Sequence, residues 1–389
     1  MTGTSRPAAA AALAVALLAA PFPGAAARPG EPAPAPAPGA GDAPRLAEAL
    51  RKGVAHLVRT QNRDGSWGST APTLTLDIYS PAPGSFEAYA VAVTGLATSA
   101  LLEAGPGEPG AAEAIRRGAD WLLAHGDLRR VTRDVLYNTW GHAYALEAFA
   151  RLLAAEEDPA RKEVLKKAAA GQVARLERFE YVDGGWGYYD FATRTRTPGP
   201  GATSFTTATC LVALRRAAEG GAAVPPRLVE RALGVIRRSR FPTGSFSYSL
   251  DLRWVPQAGI NKVKGSLART PACYQALRDW GEPPAGEAVA KAFDDLERYG
   301  HFLLIARKYP YPHEAWYQNS GYFCFYGYYY ASLLLDLLPE ERRAAERARI
   351  AGHLLPLQEP DGSWWDYQLY GYHKPYGTAY VLMALARCR

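Results

Sequence analysis

The chain has 389 residues, 48% of them hydrophobic, with 44 Lys and Arg against 38 Asp and Glu for a formal charge of +6. The basic residues are scattered in pairs such as Arg116-Arg117, Arg237-Arg238 and Arg342-Arg343 with acids interleaved, a pattern of solvated helix faces that speaks against a nucleic-acid partner. Cys210, Cys273, Cys324 and Cys388 show none of the short paired spacings of a zinc knuckle or a dense disulfide framework, so buried free thiols are expected.

Residues 1–27 read as a cleaved secretory signal: one early positive charge at Arg6, an Ala/Leu-rich run from Pro7 to Ala20, and small residues at Ala25-Ala26-Ala27. The run is shorter than the roughly 20 apolar residues that a membrane span needs, so a secreted or periplasmic protein without a transmembrane span is expected. Residues 28–44 form a Pro/Ala/Gly linker that cannot bury a core. From 45 to 389 the chain alternates between two kinds of helix. Leu46, Leu50, Val54, Leu57 and Val58 recur at amphipathic spacing. The following segment, Phe86–Ala104, is almost entirely Ala, Val, Thr, Gly and Leu, with Ser85 as its expected N-cap. A helix apolar on every side is one surrounded by protein. The alternation continues as Ala111–His125 and Asn138–Ala155, Arg161–Glu180 and Thr203–Ala218, Pro226–Arg240 and Gly265–Trp280. Glu287–Arg307 and Asn319–Leu338 follow, then Glu341–Leu357 and Lys374–Arg387. Pro271 predicts a kink or a late start in the fourth apolar helix.

A turn signature punctuates these pairs. Asp64-Gly-Ser-Trp67, Asp183-Gly-Gly-Trp186, Thr243-Gly-Ser-Phe246 and Asp361-Gly-Ser-Trp364 begin 119, 60 and 118 residues apart. A period near 60 accounts for all three gaps if two repeats have lost the signature, and Gly126 and Gly300 stand where the vacant turns fall. Six repeats of an outer and an inner helix therefore predict an all-α fold of six helix pairs in two concentric rings, which the resemblance below makes an α/α toroid.

Gln61 and Gln358 each precede a complete Asp-Gly-Ser-Trp turn by three residues. Helix pairs joined by this motif resemble the repeats of squalene cyclases and of protein prenyltransferase β subunits, and the resemblance spans residues 45–389. It implies a closed toroid in which the Gln amide stacks on the Trp ring and ties neighbouring repeats together. It also implies catalytic groups that this sequence lacks. The Asp-x-Asp-Asp acid of the cyclases has no counterpart: Asp294-Asp295 lie on an outer helix after Ala292, and Gly201–Thr207 contains no acid. The zinc-binding Asp-x-Cys and His of the prenyltransferases become Tyr322-Phe323-Cys324 and His373, one ligand short of the three protein ligands usual in a catalytic zinc site. No metal and no other cofactor is expected.

Candidate ligand-binding residues lie where loops meet inner helices. Asp77, Tyr137, Asn319, Tyr370, Tyr372 and His373 lie on loops or at helix starts, and His142 stands one turn into an inner helix. Residues 309–330 include eleven aromatics in twenty-two positions, among them a stripe of Tyr322, Phe325, Tyr326 and Tyr329, with Tyr376 and Tyr380 in the next repeat. So many Tyr hydroxyls need partners, which predicts a water-holding cavity between the fifth and sixth repeats. Three readings stay open. The chain binds an apolar, isoprenoid- or lipid-like, or extended ligand centrally; it is an acid/base enzyme on a lipid or glycan, using His142 or His373 with Asp77, Asp190 or Asp366; or it is a protein-interaction scaffold. Its oligomeric state leaves no trace in the sequence.

Overall fold

A computed structural model describes residues 42–73, 84–190 and 197–389. Asp77, the signal segment and most of the linker lie outside the described residues. Among those described there are thirteen α-helices and no strand, only four isolated bridges. Six are the inner helices: α2 (Ser85–Ala104), α4 (Asn138–Ala155), α6 (Ser204–Glu219), α8 (Arg269–Asp279), α11 (Phe323–Leu333) and α13 (His373–Ala386). Each packs on the next in that order, and α13 packs back on α2, so the inner ring closes. Outside it run α1 (Asp42–Thr60), α3 (Ala111–His125), α5 (Pro159–Arg178), α7 (Pro226–Ser239), α9 (Gly286–Tyr299), α10 (His301–Ala306) and α12 (Glu340–Leu354). The fold is the expected α/α toroid. α2 is apolar and long enough to cross a membrane, but most of it is buried between α4, α13 and α3.

The turns show why the signature recurs. Trp67, Trp186 and Trp364 are completely buried. Each donates its indole N–H to the carbonyl ten residues earlier, Leu57, Leu176 and Leu354, at 2.7, 2.8 and 2.9 Å. Each backbone N–H is taken by a threonine of the following inner helix, Thr94, Thr207 or Thr378, at 3.0–3.2 Å. A buried indole thus gains both apolar contact and a partner for its one donor. In the fourth repeat Phe246 keeps only the backbone contact, to the Ser266 hydroxyl at 3.0 Å.

The turn glycine locks each repeat to the next. Gly65, Gly184 and Gly362 have φ of 98°, 91° and 85°. A Cβ there would stand 2.5, 2.7 and 2.6 Å from the carbonyl oxygens of Arg117, Arg231 and Lys52, all on the following outer helix. Side chains other than glycine are strained at positive φ and have no room here. Gln61 donates to Ala114 O and Gln358 to Ala49 O, both at 2.9 Å, so the expected tie between repeats is made through backbone carbonyls. Because Lys52 and Ala49 belong to α1, the sixth repeat treats the first as its successor.

Departures from the expected elements have local causes. Ser85 is the first residue of α2, behind Gly84 at φ 83°, and makes no capping bond. Pro271 is accommodated by a late start of α8 at Arg269, after three 3₁₀ segments between Asp251 and Gly265. The fifth outer helix breaks at Gly300 into α9 and α10, and α11 starts at Phe323 rather than Asn319. Cys210, Cys273 and Cys324 are buried free thiols, and Cys388 is half-buried.

Candidate functional site

Between the inner helices lies an axial cavity of about 140 Å³, partly open to solvent. Its wall has Tyr89, Ala92, Val93 and Leu96 from α2, Trp140 and Tyr144 from α4, Phe205 from α6, Tyr326 from α11, and Tyr376 and Tyr380 from α13. Tyr137, Tyr188, Tyr322, Tyr367 and Leu369 close it from the adjoining loops and helix starts. No charged side chain is among these residues. The small residues that make α2 a helix of uniform hydrophobicity also leave the space into which rings from four other inner helices project.

Most of the tyrosine hydroxyls around the cavity are taken by protein partners, where the expectation was of hydroxyls left for water. Tyr144 and Tyr380 bond to each other, as do Tyr188 and Tyr248. Tyr137 shares 2.5 Å with Tyr189, and Tyr326 donates to Phe205 O at 3.0 Å. Tyr322 bonds with Tyr248 and Ser320, and Tyr376 donates to Asp366 Oδ1 at 2.5 Å. Burial holds the phenols of Tyr144, Tyr326, Tyr376 and Tyr380 well above their ordinary pKa, so all four are neutral. Their oxygens are used by protein partners, and what faces the space is ring carbon.

The sequence-derived candidates divide accordingly. Tyr137, Tyr322, Tyr326 and Tyr376 are brought together on the wall. Tyr370 and Tyr372 are not: Tyr370 packs edge-on to Phe86 at 4.9 Å, and the Tyr372 hydroxyl donates to Phe86 O at 3.2 Å. Both hold the seam between the sixth and first repeats. His373 contacts the Tyr370 carbonyl through Nδ1 at 2.5 Å and meets Trp365 edge-on. Asn319 donates through Nδ2 to Glu314 in its own loop and to Lys264 O of the fourth repeat, at 3.1 Å in each case. His142 points outward to α5, where Nδ1 meets Gln172 Oε1 at 2.6 Å and the ring stacks on Phe179 at 5.8 Å. Gln172 in turn donates to Gly126 O at 2.9 Å, so in the second repeat the tie runs backward from the third. Burial pushes the His142 pKa down to about 4, leaving a neutral ring that orients Gln172.

Zinc does not fit. Tyr322 supplies no carboxylate, so Cys324 and His373 alone remain of the three protein ligands usual in such a site. Among the described residues no three His, Cys, Asp or Glu side chains converge as a metal site.

Two buried polar groups were not singled out from sequence. Arg269, completely buried, lies between Tyr248 and Phe323, each 5.6 Å from its guanidinium, and bonds Gly265 O, Phe246 O and Ile260 O. Glu147, midway along α4, takes bonds from Arg151 at 2.9 Å and from Tyr329 at 2.9 Å, with Arg216 at 3.3 Å. Arg151 and Arg387 converge on Glu103. This ionic cluster joins α2, α4, α6, α11 and the end of α13. Asp190, offered as a partner for a histidine, is instead paired with Arg130 at 2.5 Å.

No protein-family model and no curated sequence matches the chain. Its solved structural neighbours are helical toroids. A variant of type II terpene cyclase MstE from Scytonema, in complex with geranylgeranyl dihydroxybenzoate, is similar at 16% identity with a TM-score of 0.52, over 89% of this chain and 97% of that one. A cellobiose 2-epimerase from Bacillus thermoamylovorans matches at 10% identity and a TM-score of 0.54, over 88% and 98%. An α-1,6-mannanase of Salegentibacter, in complex with α-1,6-mannotetrose, matches at 10% and 0.52, also over 88% and 98%. The architecture is shared by terpene cyclase-like and glycan-active toroids.

Proposed function

We propose that this toroid binds an apolar, isoprenoid-like group in its axial cavity. The observation that carries this reading is a wall of ring faces whose named hydroxyls are already bonded to protein. A sugar needs donors and acceptors from its site, and leaving them unmade costs about 1–3 kcal/mol for each buried group. An isoprenoid needs none. Magnitude sets the size: a dry cavity near 150 Å³ holds about one benzene, so the 140 Å³ here suits roughly one prenyl unit. A longer chain requires rings to move. Calorimetric titration with 3-methylbut-2-en-1-ol and with geraniol is expected to give saturable binding, tighter for the alcohol whose tail fits. Val93→Trp fills the cavity and should weaken binding at least tenfold without lowering the melting temperature. Equal binding by the variant, or uptake of mannobiose in place of the prenyl alcohols, would sink the reading.

A second reading, acid-initiated chemistry on the bound group, draws on Asp366. This residue is completely buried, accepts Phe325 N–H at 2.9 Å and Tyr376 O–H at 2.5 Å, and reaches the cavity through Tyr376. Burial pushes its pKa up to about 6. Tyr376 donates to the carboxylate here, so a relay needs the phenol to turn its O–H toward the cavity; its oxygen then takes the carboxyl proton as the phenol proton goes to an alkene carbon, and the ring faces stabilise the resulting cation. The pKa has a separate signature. The unfolded carboxyl titrates near 3.9, so the folded state holds its proton more tightly. Its contribution to stability is complete below about pH 4 and declines by about 3 kcal/mol as pH rises through 6. Asp366→Asn should remove that decline. The difference between variant and wild type across pH isolates it from the opposite slope of His142, whose folded pKa lies below the unfolded one. A difference that is flat with pH would show that Asp366 is ionised as usual, and the acid reading would fail.

A further inference from the structure

At the other end of the toroid, where the inner helices finish, lies a second concavity of about 490 Å³. Its wall combines the C-terminal turns of α6, α8 and α11, the end of α13, and one residue of α12. Five arginines, Arg215, Arg216, Arg278, Arg347 and Arg387, line it together with Arg389 past the end of α13, against the carboxylates of Glu219, Asp279 and Asp336.

Arginine at a helix C-terminus has an ordinary explanation, since it offsets the negative end of the macrodipole. That explanation covers four of the five. Arg215 pairs with Glu219 at 2.9 Å, Arg216 with Glu147 at 3.3 Å, and Arg387 with Glu103. Arg278 donates to Leu333 O at 2.7 Å and stands 3.8 Å from Asp336. It does not cover Arg347. This residue sits in the middle of the outer helix α12, and its buried Nε has no hydrogen-bond partner among the described residues. Nor does it cover Gln275. The Gln275 side chain is 6% exposed, its amide N–H₂ donates to Asp279 at 2.6 Å, and its buried Oε1 has no partner among the described residues. A protein that buries an acceptor unpaired pays for it unless something arrives with a donor.

A ligand that satisfies these groups must bring anionic oxygens to the guanidiniums and a hydroxyl to Gln275. Guanidiniums approaching from different elements suit a tetrahedral phosphate, with oxygens on several sides, better than a flat carboxylate. We propose that this basin binds a hydroxylated phosphate ester of the glycerol-phosphate type, with Arg278 and Arg347 on the phosphate and Gln275 accepting from the hydroxyl. The chemistry is shared by a free polyol phosphate and by a phosphatidylglycerol headgroup.

Isothermal titration of the full chain at low ionic strength with sn-glycerol 3-phosphate, and separately with inorganic phosphate, tests this. Saturable binding is expected, tighter for the ester. Arg347→Ala should weaken both at least tenfold with an unchanged melting temperature, and Arg347→Lys should recover part of the loss. Gln275→Met, similar in shape, should keep phosphate binding and erase the preference for the ester. Val93→Trp in the axial cavity should change nothing here. Cosedimentation with phosphatidylglycerol vesicles, against phosphatidylcholine, separates the sources. Capture that depends on Arg347 assigns a headgroup, whereas binding of the free ester alone assigns a soluble metabolite. No saturable binding in either arm, or affinities indifferent to Arg347→Ala, would overturn the proposal.

Discussion

Trp364→Ala is expected to cost about 3–5 kcal/mol, the usual loss when a core tryptophan becomes alanine. Against a total stability of about 5–15 kcal/mol, that is a large fraction, and the melting temperature should fall on the order of 5–10 °C. The effect exceeds simple loss of area because the ring stands at a junction. Its indole N–H satisfies Leu354 O, and its backbone N–H fixes Thr378. A Cβ on Gly53 of the first repeat would stand 2.8 Å from its ring, so the residue also plugs the closing seam. Trp254, 74% exposed, is the control, and its truncation should leave the melt where it was. Similar melts for Trp364→Ala and Trp254→Ala would disprove the assignment of the signature tryptophans as the joints of the ring.

The second large effect concerns Glu147. Glu147→Ala would leave Arg216 without its carboxylate and Arg151 with Glu103 alone. Removing one partner of a buried ionic group costs about 3–5 kcal/mol. The acid limb should change as well. Burial alone would raise the Glu147 pKa, but Arg151, Arg216 and the Tyr329 bond bring it below the ordinary value. A depressed carboxylate contributes stability that is present above its unfolded pKa, about 4.3. That contribution is lost as pH falls through the folded value. Glu147→Gln should therefore lower stability at pH 7 and make it less sensitive to acid below about pH 4. Thermal melts across that range check both statements; a variant as stable as wild type at pH 7 would mean that the cluster is ornamental.

The joints were legible because a turn has local chemistry. Asp-Gly-Ser-Trp specifies a positive-φ glycine and a large apolar plug within four residues; its period predicts the repeats, and the family resemblance it carries implies the ring. Pro271 announced a late helix in the same way. Orientation across the axis was not legible. α2 and α4 are apolar on nearly every side, so no periodicity told which face of α4 meets the axis. Trp140 and Tyr144 turned out to face it, while His142 faces α5. The dense aromatic run at 309–330 drew attention to one wall, yet Tyr89, Tyr188 and Phe205 complete the cavity from far away in sequence. Glu147 with Arg216 and Asp366 with Tyr376 are pairs that only the closed ring brings together. Their separate positions carry no motif.

Closure of the ring also governs when the protein can exist. The bonds from Gln358 to Ala49 and the fit of Gly362 against Lys52 join segments about three hundred residues apart. Contacts so distant in sequence slow folding, since the entropy of closing the loop is spent before any of them forms. During synthesis the first five repeats emerge with α1 and α2 still lacking the neighbour that covers them. The apolar flank of α2 then waits, uncovered, for α13 to leave the ribosome. A chain interrupted before its sixth repeat would keep that apolar flank exposed.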